Sequence, residues 1–264
     1  MKGPVLIHPA LGHQEMKVGV KIDPSSERLN GHDDSGHQLA SGHESEIADQ
    51  GSTWGPAQRL TWSADVSRSA CAAVDSSNII HIVWMDWISD NFQVFYRKSA
   101  DGGSTWPTAQ RLTWTAGPCM DPIIERDLDD YIYVMYTDQA PAEEIYARRS
   151  TNGGLNWGAP IRLTWNSGRS IRQNFAINSY NILHIVWDDD TPGNNEIFQK
   201  WSTNRGLAWS VQHRLSWNSG NSVAADIIAD NKDNLHLVWS DIAPGNFEIF
   251  YRNEIGGSIL KEQP

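Results

Sequence analysis

Apolar positions along this chain fall in short, dense runs rather than at helical spacing. Ile80-His81-Ile82-Val83-Trp84 is one, followed by Ile132-Tyr133-Val134-Met135-Tyr136, Leu183-His184-Ile185-Val186-Trp187 and Leu235-His236-Leu237-Val238-Trp239. Runs of this length, rich in β-branched and aromatic side chains and bounded by turn formers, predict buried strands. Turn residues such as Ser76-Ser77-Asn78 and Asn231-Lys232-Asp233-Asn234 precede them, and before the turns lie four aligned segments at 72–75, 124–127, 175–178 and 227–230. A loop containing Asp86, Asp138, Asp189 or Asp241 leads to a third strand, over 92–97, 144–148, 196–200 and 247–252.

Each unit ends on Arg-Leu-Thr/Ser-Trp: Arg59–Trp62, Arg111–Trp114, Arg162–Trp165 and Arg214–Trp217, at offsets of 52, 51 and 52 residues. A period in this range marks tandem copies of one supersecondary unit. Four short antiparallel strands per copy predict an all-β fold, a β-propeller of four four-stranded blades. Full blades run over about 68–114, 120–165 and 171–217, and the last copy, about 223–252, has three strands. The segment Gly55-Pro56-Ala57-Gln58-Arg59-Leu60-Thr61-Trp62 matches the missing fourth. The last blade is therefore expected to be closed by an N-terminal strand, which removes two exposed edges. A larger ring in which two chains share strands is the alternative.

The turn between the third and fourth strands has its own pattern. Ser99-Ala100-Asp101-Gly102-Gly103-Ser104-Thr105-Trp106 is the fullest copy, with looser ones at 150–157 and 202–209 and a partial one at 49–54. An Asp or Asn side chain there can accept backbone N–H groups across the turn while Gly supplies positive φ. The motif resembles the Asp-box, or BNR repeat, Ser-x-Asp-x-Gly-x-Thr-Trp, of sialidase-like β-propellers, and the resemblance covers about residues 49–257. It implies a propeller in which Asp49, Asp101, Asn152 and Asn204 are structural Asp-box residues lying away from the active face. It also implies glycan-related chemistry and an extracellular or cell-surface location. It does not settle activity, since Asp-boxes occur in sialidases, other glycosidases, lectin-like modules and non-catalytic receptors.

Composition narrows the partners. The chain has 21 basic and 32 acidic residues, a net charge of −11, so no nucleic-acid partner is expected. No apolar run is long enough for a membrane span, and the first residues carry no secretory h-region. Residues 1–48 read as a flexible polar leader holding His8, His13, His32, His37 and His43, whose spacings match no metal-ligand pattern, and 258–264 as a tail. No metal and no cofactor are expected. Cys71 and Cys119 can pair, although no spacing rule requires it.

Residues that recur in every copy belong to the scaffold first. Asp86, Asp138, Asp189 and Asp241 are read as loop caps, and His81, His184 and His236, with Tyr133 in the fourth copy, as buried structural groups. Repeat-breaking positions on the innermost strands carry more information. Asp121, Glu125, Arg172, Asn174 and Asp226 are candidates for an asymmetric polar pocket at the channel mouth; a solvated channel lining is the plain alternative. Trp87 and Asp189, in the loops between second and third strands, are the further candidates. Aromatic faces with planar hydrogen-bonding groups suit sugars.

No catalytic residue is assigned. A sialidase needs an arginine cluster for an anionic substrate, and the repeat-locked Arg59, Arg111, Arg162 and Arg214 lie on outer strands, leaving Arg68, Arg126, Arg169 and Arg172. The resulting expectation is a non-catalytic recognition module for a glycan or protein ligand, using the face opposite the Asp-boxes. A sialidase-like glycoside hydrolase and a structural protein that self-associates are the alternatives.

Overall fold

The computed structural model describes residues 54–243 and 245–255. Residues 54–62 and the part from Ser63 onward belong to separate units. The expected leader, Asp49 and the C-terminal tail lie outside the described residues.

The second unit is all β, with no helix among its described residues. Its strands in chain order are β1 (Ser67–Val74), β2 (Ile80–Ile88), β3 (Asn91–Ser99), β4 (Gln110–Arg111), β5 (Cys119–Arg126), β6 (Ile132–Asp138), β7 (Glu144–Ser150) and β8 (Ile161–Arg162), followed by β9 (Ser170–Ile177), β10 (Leu183–Asp189), β11 (Glu196–Ser202), β12 (His213–Arg214), β13 (Ser222–Ala229), β14 (Leu235–Asp241) and β15 (Glu248–Glu254). They form four antiparallel sheets ordered β1-β2-β3-β4, β5-β6-β7-β8, β9-β10-β11-β12 and β13-β14-β15. Each apolar run is the second strand of its sheet, and in the first three sheets it is covered on both faces. Val83, Val134, Ile185 and Val186 are accordingly fully buried.

The fourth strands are shorter than the Arg-Leu-Thr-Trp segments suggest. Only Gln110–Arg111 and its counterparts pair as strands. Beyond them the side chain replaces the ladder. Leu112 N donates to Val94 O at 2.7 Å, while Val94 N donates to Thr113 Oγ1 at 2.8 Å. Thr164 and Ser216 take the N–H groups of Ile145 and Ile197 in the same way, at 2.9 and 2.8 Å. The tryptophans that follow stay exposed, with the arginine of each segment 5.7–6.0 Å from the ring centre of Trp114, Trp165 or Trp217.

Consecutive sheets pack face to face. The inner strand β1 packs on β5, β5 on β9 and β9 on β13. One apolar cluster joins Val83, Val94 and Tyr96 of the first sheet to Ile124, Val134 and Tyr136 of the second. Two similar clusters join the second sheet to the third and the third to the fourth. Burial of these faces is the main stabilising term, at roughly 25 cal/mol per Å2 of apolar surface.

The last sheet differs from expectation. It has three strands, residues 54–62 form no strand, and β13 does not pack on β1 as consecutive inner strands pack. Its forward face consequently stands open. Ile249 is 75 % exposed and Tyr251 57 %, where their counterparts Val94 and Tyr96 are buried. The succession of sheets is not shut into a ring within residues 63–255.

The turns behave as their residues dictate. Ser99 Oγ accepts Gly103 N at 2.9 Å and Asp101 accepts Thr105 N at 2.8 Å. Asn152 and Asn204 accept Asn156 N and Ala208 N at 2.9 and 2.8 Å. Gly103, Gly154 and Gly206 have φ of 87, 76 and 77°, the left-handed region where a side chain is disfavoured. Asp101 is exposed, and the Thr105 hydroxyl and N–H, with Ser99, hold its carboxyl down at about 2.

Candidate functional site

The four inner strands share an irregularity that the sequence pattern did not disclose. Each slips register near its start, between Arg68 and Cys71, Met120 and Ile123, opposite Val186 and Asp188, and between Val223 and Asp226. The residue at the slip is left-handed in every copy: Ser69, Asp121, Arg172 and Ala224, with φ between 48 and 56°. A bulge of this kind re-aims one side chain and raises local twist, and bulges are frequent beside active sites. Here the scaffold repeats while the side chain changes, so the bulge presents four different groups at one level.

Two of these groups meet a residue that sequence reasoning missed. Arg172 Nη1 lies 2.9 Å from Asp188 Oδ2, and Ala224 N donates to the same carboxylate at 3.0 and 3.1 Å. Asp188 is fully buried, and burial pushes its carboxyl up to about 6 against the pull of Arg172 and the Ala224 N–H. The signal was present in the alignment of copies: Met85, Thr137, Asp188 and Ser240 share one position on the second strands, and only one is acidic.

Asp121 stands beside this pair. Burial raises its carboxyl, opposed by the charges of Arg172 and Arg68 and by a hydrogen bond from Ser69. Its carbonyl accepts Gln173 Nε2 at 2.6 Å, and Gln173 is held in turn by Thr137 Oγ1 at 2.8 Å. Arg68 extends the cluster to the first sheet. Its guanidinium lies 4.3 Å from the centre of the Phe92 ring, which meets Trp87 edge-on at 4.9 Å. Asp65, Val66, Arg68, Trp87 and Phe92 line an open hollow there. Two arginines, two carboxyls and an aromatic edge thus share one loop face.

The other candidates are placed differently. Asn174 Nδ2 donates to Asp226 Oδ1 at 2.6 Å, a bridge between the third and fourth inner strands. Glu125 pairs in register with Tyr133, one residue from the end of β5, which puts it toward the opposite turn face. Asp189 sits in a buried loop cap, accepting Ser170 Oγ at 2.9 Å, Trp187 Nε1 at 3.1 Å and Thr191 N at 3.0 Å. Asp241 has the matching set in Ser222, Trp239 and Ala243.

The repeated histidines lie in the inter-sheet packing. His81 Nδ1 is 2.7 Å from Tyr96 Oη and its Nε2 is 3.2 Å from Asp75. Tyr133 Oη donates to Asp127 at 2.9 Å. His184 is fully buried, and burial lowers its imidazole to about 4. Cys71 and Cys119 are not joined in a disulfide, and Cys119 is buried.

No protein-family model matches this chain, and no curated protein does. Solved structures match by shape. The sheets superpose on a protein of unknown function from Dyadobacter fermentans with a TM-score of 0.56 at 14 % identity, covering 72 % of this chain and 66 % of that one. A Hadza microbial sialidase gives 0.56 at 16 %, covering 72 % and 45 %. The α-L-arabinanase of Penicillium chrysogenum, complexed with arabinobiose, gives 0.57 at 11 %, covering 71 % and 62 %. The chain therefore shares a propeller-type fold with these proteins and spans about half to two thirds of their length. At such identities the likeness is one of fold.

Proposed function

We propose that this chain is a non-catalytic β-propeller recognition module of the Asp-box type that binds a carbohydrate outside the cell. In this reading the four sheets are blades, residues 55–62 of the same or a second copy supply the outer strand of a β13–β15 blade, and the ligand face is the one opposite the Ser99–Trp106 turn. The observation that carries it is the cluster of Arg68, Asp121 and Arg172 beside the Trp87–Phe92 edge. An aromatic edge offers the apolar face of a sugar ring a platform, and the guanidinium and carboxyl groups fix its hydroxyls or an acidic substituent. Asn174 and Asp226 extend the polar surface toward the fourth sheet. The fold neighbours include a sialidase and an arabinanase, which suits a glycan ligand.

A glycoside hydrolase is the second reading, favoured by one observation. Asp121 and Asp188 are both raised carboxyls near one arginine, and a general acid for glycoside cleavage needs such a shift. One experiment separates the two. Calorimetric titration against a panel of neutral and acidic oligosaccharides should show binding that falls at least tenfold in Trp87→Ala and in Arg172→Ala, without turnover of the matching fluorogenic glycosides. Turnover abolished by Asp188→Asn would replace recognition with hydrolysis. Binding unaffected by either substitution would refute this face as the site.

A further inference from the structure

A hollow between the third and fourth sheets is lined by Gln199, Leu215, Ile227, Leu235, Leu237, Arg252, Asn253 and Glu254. The equivalent places in the preceding pairs of sheets each hold a tryptophan. Trp157 packs edge-on against Tyr96 with ring centres 5.1 Å apart, and Tyr96 is the counterpart of Gln199. Trp209 packs against the cluster of Tyr133, Ala147 and Leu183, the last being the counterpart of Leu235. In the fourth copy, position 261 of the same turn motif is Lys. The residue that aligns with these tryptophans is Trp54, at the end of the partial motif at 49–54, and it is 90 % exposed.

The strand edge beside the hollow is missing the same piece. Ile249 is the counterpart of Val94, Ile145 and Ile197, whose N–H groups are taken by Thr113, Thr164 and Ser216. Glu248 is the counterpart of Glu144 and Glu196, which bind Arg162 Nη2 and Arg214 Nη2 at 2.7 Å each. Leu60, Thr61 and Arg59 align with these donors and acceptors. The segment already has the local form of the fourth strands. Arg59 Nε donates to Thr61 O at 2.6 Å, as Arg111 does to Thr113 O and Arg162 to Thr164 O, and its guanidinium lies 5.9 Å from the Trp62 ring centre.

Which copy of the chain receives this segment follows from the linkers. Trp114 and Cys119 are five positions apart, as are Trp165 and Ser170, Trp217 and Ser222, and Trp62 and Ser67. Five residues span at most roughly 17 Å, so an outer strand must belong to the sheet that packs directly before the next inner strand. The sheet before β1 is not the chain's own β13–β15, because β13 does not pack on β1. We propose that it is the β13–β15 sheet of a second copy. Residues 54–62 of one copy complete the last sheet of the other, Trp54 fills the hollow, Arg59 pairs with Glu248, and the open face carrying Val238, Ile249 and Tyr251 is covered by the first sheet of the donor. The contact repeats the three inter-sheet interfaces already present within one chain. A head-to-tail contact of this kind closes if the rotation permits, and two copies make eight sheets, the upper end of the usual ring size. The pairing does not depend on the glycan reading.

The test uses the full chain in a Cys71→Ser background. Tyr96 pairs with Gln110 across β3 and β4, so Tyr251 should face Gln58 of the other copy. A Gln58→Cys chain and a Tyr251→Cys chain, unfolded and refolded together under mild oxidation, should give a cross-linked dimer on a non-reducing gel, and neither should do so alone. Light scattering of the unsubstituted chain should give about twice the 29.6 kDa chain mass, and Trp54→Ala should lower that value at micromolar concentration. A chain of single mass, or a disulfide formed only when both cysteines are in one chain, would overturn the proposal.

Discussion

Asp188 shows how a single side chain can be set by its surroundings rather than by its neighbours in sequence. It is fully buried, held by one arginine that is itself half in solvent, and its carboxyl sits near 6. A carboxyl raised on folding favours the folded state most below its unfolded value near 4, and that contribution is lost as pH rises through about 6. The melting temperature of the unsubstituted protein should therefore carry a component that falls between pH 4 and pH 6. Asp188→Asn should remove that component while leaving the melt at pH 4 nearly unchanged, as followed by thermal denaturation across the range. Asp101 works in the opposite sense, since its lowered carboxyl stabilises the fold above about 4 and loses that effect toward 2. The two windows adjoin near pH 4, and Asp188→Asn removes only the upper one.

At the scale of elements, the turns between third and fourth strands are legible from sequence down to their hydrogen bonds. Ser, Asp or Asn, and Gly stand where backbone N–H groups need acceptors and where φ must be positive. What those turns touch is not legible. A Cβ on Gly154 would lie 1.9 Å from the Tyr96 hydroxyl, which is held by His81 and cannot swing aside, whereas a Cβ on Gly103 would meet nothing closer than 3.8 Å. Both positions carry the left-handed penalty of about 1–2 kcal/mol. Gly154→Ala adds overpacking of roughly 1–3 kcal/mol. Urea denaturation should find Gly154→Ala the more destabilised of the two by at least about 1 kcal/mol, and equal losses would show that the inter-sheet contact at Tyr96 is not tight. The inner-strand bulges are the converse case. Their left-handed residues, Ser69, Asp121, Arg172 and Ala224, have no common side chain, so nothing in composition marks them.

For the whole molecule, the expected four-bladed ring shut by residues 55–62 is met in its sheets and strand order but not in closure. The three complete sheets and the three-stranded fourth follow the copies in the sequence, while β13 and β1 lack the packing of consecutive inner strands and the forward face of the last sheet is open. Removing residues 1–45 should leave mass and melting temperature as they are, because the matching segment is retained. Removing residues 1–62 should lower both the mass measured by light scattering and the melting temperature, by several degrees for a stretch of lost burial of this kind. A shortened chain with unchanged mass and stability would show that residues 54–62 complete no sheet.

The sequence by itself determined the number of copies, the order of strands within each, and the turn chemistry, because these depend on residues close together along the chain. Alternation of strand and turn, and the demand of a tight turn for Ser, Asp and Gly, need no knowledge of what lies opposite. It also separated scaffold from candidate site in part, since Asp121 and Arg172 stood out as breaks in the repeat. Only the tertiary structure decided that these two share a cluster with Asp188 and Arg68, that Glu125 lies at the other end of its strand, and that Asp189 is enclosed in a loop cap. Those outcomes depend on a one-residue slip in pairing register and on which sheet packs against which, and neither is encoded within any one copy.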